Sequence, residues 1–139
     1  MFVTARAEYA CLAMLELAAL YGGDPKPARL ADVADKHDIP QRFLVQILLQ
    51  MKAAGLVATT RGAAGGYRLA KPPDRITLAD ILGVLDNTEE PTDRKMTPSA
   101  MARGLQGVWR RLAEVRSRVL REITLTDLLP TDDEPDYVI

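Results

Sequence analysis

The sequence predicts a mainly α-helical chain with one small β-hairpin and a long helix near its C-terminal end. Three observations carry this class. Between residues 30 and 54 two blocks of helically spaced apolar residues are separated by His37-Asp38-Ile39-Pro40. Two short runs, 56–61 and 67–71, flank the glycine-rich segment Gly62-Ala63-Ala64-Gly65-Gly66. Further on, Met101, Leu105, Val108, Leu112, Val115 and Val119 follow at steps of 4, 3, 4, 3 and 4, a heptad seam.

Taken in order, residues 5–21 form a mostly apolar helix with Thr4 as its N-cap, and Gly22-Gly23-Asp24-Pro25 ends it. Residues 30–36 make a short helix with Leu30, Val33 and Ala34 on its inner face. Pro40 favours extended backbone before it and a helix start after it. The second helix of the pair covers about 41–54. Phe43, Leu44, Ile47, Leu48 and Met51 form its apolar set, and Gln41, Arg42, Val45, Gln46, Leu49 and Lys52 fall on other faces. Gly55 stops it in the left-handed conformation. The two strands and their glycine tip then form a wing, closed by Pro72-Pro73. Thr77 and Asp80 are spaced as a capping box for a helix over 78–85. Residues 87–99 read as a loop, 99–122 as the long seam helix, 124–129 as a short helix, and the acidic 130–139 as a loose tail. Two helices joined by a short turn offer the second to the DNA major groove. The expected architecture is therefore a winged helix-turn-helix with a long dimerisation helix.

Composition narrows the function. The chain has 139 residues, 47% hydrophobic and 27% charged, enough for one core without staples. One cysteine forbids an intrachain disulfide and suits a reducing cytoplasm. No apolar run is long enough to span a bilayer, so no membrane partner is expected. Charge is uneven: residues 1–72 carry nine Lys/Arg and six Asp/Glu, 73–129 carry nine of each, and 130–139 carry four acids and no base. The positive excess thus sits with the proposed reader, as phosphate attraction requires. One histidine, one cysteine and scattered acids assemble no catalytic set and no metal site, so no enzyme is expected. The glycine tip lacks the Gly-Lys-Ser/Thr ending of a phosphate loop. Cys11 reads as a small buried hydrophobe. His37 reads as a surface or capping residue.

These residues carry a resemblance. Leu-Ala-Asp-Val-Ala at 30–34, Ile-Pro-Gln-Arg-Phe-Leu-Val-Gln-Ile-Leu at 39–48 and Ala-Gly-Leu-Val at 54–57 are joined by Arg-Gly-Ala-Ala-Gly-Gly-Tyr-Arg-Leu-Ala at 61–70 and Ile-Thr-Leu-Ala-Asp-Ile-Leu at 76–82. With Thr-Ala-Arg-Ala-Glu-Tyr-Ala at 4–10 and the helix around Trp109, the order resembles the Rrf2 family of bacterial transcription regulators, of the IscR, NsrR and CymR type. The likeness covers about residues 1–129, and the Arg-Gly-x-x-Gly-Gly-Tyr wing is its most specific piece.

The resemblance implies a homodimer bound to a pseudo-palindromic site in double-stranded promoter DNA. By match of position it places Gln41, Arg42, Val45 and Gln46 toward the major groove, Arg61 and Gly62 at the minor groove, and Thr4 and Arg6 near phosphate. The chemistry suits those places, since Arg pairs with guanine edges, Gln with adenine, and narrow minor grooves attract Arg. The expected division is a reader at 1–86, a sensor loop at 87–99, a dimerisation helix with a short terminal helix at 100–129, and a tail at 130–139.

One departure is large. Many relatives hold an iron–sulfur cluster on three cysteines in that loop, and here the loop has none. Gln106 stands where a cluster-ligand histidine can occur. No cofactor is expected. Trp109 reads either as packing under the reader or, with Gln106, as a sensing contact. The function expected is a cytoplasmic, cluster-free, sequence-specific DNA-binding regulator acting as a repressor. The alternative is a winged-helix adaptor that binds protein and does not read DNA.

Overall fold

The computed structural model describes residues 3–22, 27–62, 65–86 and 99–130. Among them the order is α1 (Ala5–Ala19), α2 (Leu30–His37), α3 (Gln41–Ala53), β1 (Val57–Thr60), β2 (Gly66–Leu69), α4 (Leu78–Asp86), α5 (Ala100–Glu122) and α6 (Leu125–Leu128), with a 3-10 turn at Pro73–Arg75. The expected loop at 87–98, the wing-tip residues 63–64, the stop at 23–26 and the tail at 131–139 lie outside the described residues.

Helix α1 is the spine. The Thr4 hydroxyl caps it by accepting from the Ala7 N–H at 3.1 Å. Ala10, Ala13, Met14 and Leu17 are buried, and the small side chains among them let α3 and β2 approach closely. The helix ends at Ala19, two residues earlier than its periodicity suggests.

The turn between α2 and α3 rests on Asp38, which holds φ 53° and ψ 46°. A short polar side chain tolerates this left-handed conformation better than most. Ile39 then drops into the core and its N–H donates to the Ala34 carbonyl at 2.9 Å. Helix α3 buries Leu44, Ile47, Leu48 and Met51. Phe43, expected in that set, is 39% exposed. It precedes Leu44 by one residue, which swings it about 100° away and onto the flank.

The end of α3 is tightly specified. Gly55 sits at φ 80°. Its N–H donates to the Lys52 carbonyl at 3.0 Å, and the Leu56 N–H to the Met51 carbonyl at 2.9 Å. This is the Schellman pattern, with buried Leu56 above buried Met51 as its apolar contact.

The chain then enters the antiparallel hairpin, with Val57 opposite Leu69, Ala58 opposite Arg68, Thr59 opposite Tyr67 and Thr60 opposite Gly66. Both strands are shorter than the runs that predicted them. Val57 and Leu69 are buried, which pins the hairpin base to the helices. Ala28 adds a third stub, exchanging two 2.8 Å hydrogen bonds with Tyr67.

Thr77 and Asp80 form the expected capping box at the start of α4, at 3.0 and 3.1 Å. Helix α5 is capped by Ser99, whose hydroxyl accepts from the Ala102 N–H at 3.1 Å, and none of its residues is buried. The chain after α5 returns to the reader. Leu125 is fully buried, its N–H donates to the Ile76 carbonyl at 3.0 Å, and the Leu78 N–H donates to the Ile123 carbonyl at 2.9 Å. Among the described residues no helix is long and apolar enough to cross a membrane.

Candidate nucleic-acid interface

The site is the face of α3 turned away from the core, with the wing beside it. Leu44, Ile47, Leu48 and Met51 set the inner side, so helical geometry puts Arg42, Gln46 and Leu49 at the middle of the outer side. Gln41 and Val45 fall on one flank, Phe43 and Gln50 on the other. Gln41, Arg42, Val45 and Gln46 are all exposed. No acidic residue lies in the first turn of α3 and no side chain caps it at Pro40. The positive end of the helix macrodipole is therefore not offset locally, which favours an anionic neighbour. The Arg42 guanidinium lies 5.0 Å from the centroid of the Phe43 ring. Such a cation–π contact restrains a long side chain on the surface.

Exposed apolar groups on this face have chemistry to offer as well. Val45 is 37% exposed and Leu49 54% exposed. A methyl-bearing side chain in a groove can pack on the thymine methyl group.

In the wing, Arg61 and Gly62 are exposed where β1 gives way to the tip. Gly62 has φ 108°, and the Gly65 N–H donates to its carbonyl at 2.9 Å, closing the turn. Gly65 and Gly66 are required for space. A Cβ at Gly65 would lie 2.1 Å from the Thr60 carbonyl oxygen, and one at Gly66 would lie 2.3 Å from that of Ala28. Arg68 is exposed on the wing as well, and the alternation of β2 was the signal that could have found it.

The N-terminal candidates sit differently from each other. The Thr4 oxygen is engaged in capping α1. Arg6 is half-buried and its guanidinium donates to the side-chain oxygen of Gln50, on the flank of α3. Gln50 was missed by sequence reasoning, although it stands one turn beyond Gln46.

Behind the reader, Glu16 of α1 holds the end of α2. Its Oε1 accepts from His37 Nε2 and Lys36 Nζ, each at 2.8 Å. Burial pushes the Glu16 carboxyl upward, but the hydrogen bonds and charges of Lys36 and His37 outweigh it and hold its pKa below the ordinary value. His37 is thus a fastening between helices. Cys11 is half-buried on α1, and burial, then the charge of Glu8, pushes its thiol pKa up. A protonated thiol is a poor nucleophile and a poor ligand.

The seam residues are all exposed, from Leu112 at 42% to Met101 at 86%. Trp109 is 57% exposed. It lines an open apolar groove between α4 and α5 with Leu82, Leu112, Val115 and Leu120. Gln106 is exposed on α5.

An iron–sulfur cluster does not fit this donor set. The chain has one cysteine and one histidine, and they lie in α1 and α2 with the occupations just described. Residues 87–99 contribute no thiolate or imidazole.

Comparison with known proteins agrees with this geometry. The family model Rrf2, described as an iron-dependent transcriptional regulator, matches residues 3–131. The HTH-type transcriptional regulator CymR of Bacillus subtilis is 33% identical over 137 residues, which cover 98% of this chain and 96% of CymR. The HTH-type transcriptional regulator IscR of Aliivibrio salmonicida is 32% identical over 146 residues, covering 99% of this chain and 82% of IscR. Among solved structures, CymR of B. subtilis, described as the global cysteine regulator, superposes with a TM-score of 0.75 at 31% identity, covering 92% of this chain and 95% of CymR. IscR of T. potens also gives 0.75 at 31% identity, covering 92% of this chain and 85% of IscR.

Proposed function

From the premise that this chain belongs to the Rrf2 family of transcriptional regulators, we propose that it works as a cytoplasmic homodimer that represses transcription at a pseudo-palindromic promoter site. It is a DNA-binding regulator with a winged helix-turn-helix reader. What is proposed here is how it binds, in what assembly and with what effect.

The observation that carries the reading is the outer face of α3. Arg42, Gln46, Gln41 and Val45 are exposed there together, while the opposite face is the centre of the core. In this reading those four side chains enter the major groove. Arg61 and Gly62 enter the minor groove, and Thr4, with Arg6 bound to Gln50, lies on the phosphate side. Phosphate contacts set the register and base contacts supply specificity.

The apolar seam of α5 and the groove at Trp109 support a second copy as the partner that covers them. Two copies related by a two-fold axis match a palindrome. Residues 87–99 and α5, with Gln106 and Trp109, are the place for a signal to act, since they join reader to dimer helix. That signal is not a cluster of the three-cysteine kind, because the donors are missing.

The test is selection from a random-sequence duplex library by the purified chain, repeated at rising salt. A two-fold symmetric consensus and a steep loss of affinity with salt are expected. A protein adaptor would enrich no sequence and bind hardly at all at any salt.

A further inference from the structure

We propose that Gln50 is an additional DNA-contacting residue of α3 and that Arg6 is its positioning residue rather than an independent phosphate anchor. The proposal rests on the DNA-reading function and extends it toward the C-terminal part of the helix. Arg6 lies at the start of α1 and the half-buried Gln50 on the flank of α3, 44 residues apart in sequence, and a guanidinium N–H donates to Gln50 Oε1. Arginine has five donors and no acceptor, so the amide must turn its oxygen to Arg6. That fixes the orientation of a side chain whose oxygen and nitrogen are otherwise interchangeable. The amide NH2 is the group left for another partner, and it can only donate.

This changes what Gln50 can recognise. A free glutamine reads adenine by accepting from N6 and donating to N7. With Oε1 held by a charged donor, Gln50 suits an acceptor oxygen or nitrogen instead: a phosphate oxygen, or the N7 and O6 of guanine. Arg6 in turn delivers its charge to the flank of α3 and is half-buried. No other side chain of α1 is hydrogen-bonded to α3 among the described residues.

The experiment uses the whole chain and the duplex that the wild type enriches from a random library, with affinity read by fluorescence anisotropy. Gln50→Ala is expected to lower affinity about tenfold, the effect of one hydrogen bond to a charged or strongly polar acceptor. Arg6→Met, which keeps the apolar stem and removes the donors, should cost about as much, and the double variant should be no weaker than either single one. Gln50→Glu keeps a partner for Arg6 but replaces the amide donor by an anion, and should bind more weakly than Gln50→Ala. Reselection with Gln50→Ala then separates the two sources: a consensus altered at one symmetric position marks a guanine contact, an unchanged consensus with lower affinity marks phosphate. Losses that add in the double variant would show Arg6 to be its own anchor and overturn the proposal. So would Gln50→Ala binding like wild type, or Gln50→Glu doing so, since the pair would then only fasten two helices. The two Gln50 variants decide the matter even where Arg6→Met fails to fold. A wild type that enriches no sequence overturns the DNA-reading function and this proposal together.

Discussion

At the scale of single residues, the side chains proposed to act in the reader lie in sharply different surroundings. Arg61 is exposed beside a glycine that holds φ 108°. Arg61→Ala should weaken operator binding about tenfold or more while leaving sedimentation unchanged, because it removes a groove or phosphate contact and no packing. Unaltered affinity would take the wing out of the mechanism. Glu16 behaves oppositely, as an internal fastening. Its carboxyl pKa is lowered in the folded protein by Lys36 and His37, against the upward push of burial. A depressed carboxylate stabilises the fold above its unfolded pKa of about 4.3, and that contribution is lost as pH falls through the lower folded value. The urea midpoint of the wild type should therefore fall on acidification, and Glu16→Gln should be less stable near neutrality with a shallower acid dependence. Equal slopes for both proteins would assign the acid transition to other groups. The exposed positions of Arg42 and Gln46 on the outer face of α3 were legible from helical spacing, and their DNA roles, like that of Arg61, come from the family resemblance. The tie of His37 to Glu16, the donation from Arg6 to Gln50 and the exposure of Trp109 were not legible, because each depends on how two helices lie against each other.

At the scale of elements, local signals did most of the specifying. The capping box at Thr77, the cap at Thr4 and the glycine stop at Gly55 were read in the sequence, and the structure adds a cap at Ser99 and a capping box of Thr124 with Asp127, each formed by residues three apart. The stop at Gly55 aims β1, and with it the wing, relative to α3. Its φ of 80° is one that a Cβ disfavours, although nothing lies within 4 Å of the place a Cβ would occupy. Gly55→Ala should therefore cost about 1–2 kcal/mol through backbone strain alone, measurable as a lower urea midpoint at unchanged slope. A neutral result would mean that the turn rearranges and that the wing's direction is less tightly set. Phe43 shows the limit of periodicity: an apolar residue adjacent to Leu44 fits a broad apolar stripe, yet only the neighbours of α3 decide how wide the buried stripe is.

At the scale of the whole molecule, the reader is a closed core and α5 is a projecting lever without a buried residue. In the proposed homodimer the six exposed seam residues of α5 are covered, and fully burying each is worth about 1.5–3 kcal/mol. Leu112→Asp should place an unpaired charge in that contact and raise the dimer dissociation constant at least about a hundredfold, read by sedimentation. A variant that still sediments as a dimer would assign the seam to another use. Reselection of DNA by that variant should yield half-sites in place of a palindrome. By itself, the sequence determined the order of elements, the helix-turn-helix and its outer face, the glycine demand of the wing, the seam, and the lack of cluster donors. These follow from spacing, caps and composition, which act over a few residues or simply count them. Only the tertiary structure decided that the chain returns after α5 to bury Leu125 beside Ile76, that Glu16 fastens α2, and that Arg6 reaches Gln50. Those pairings join residues far apart in the chain, and their partners are chosen by the packing of whole helices.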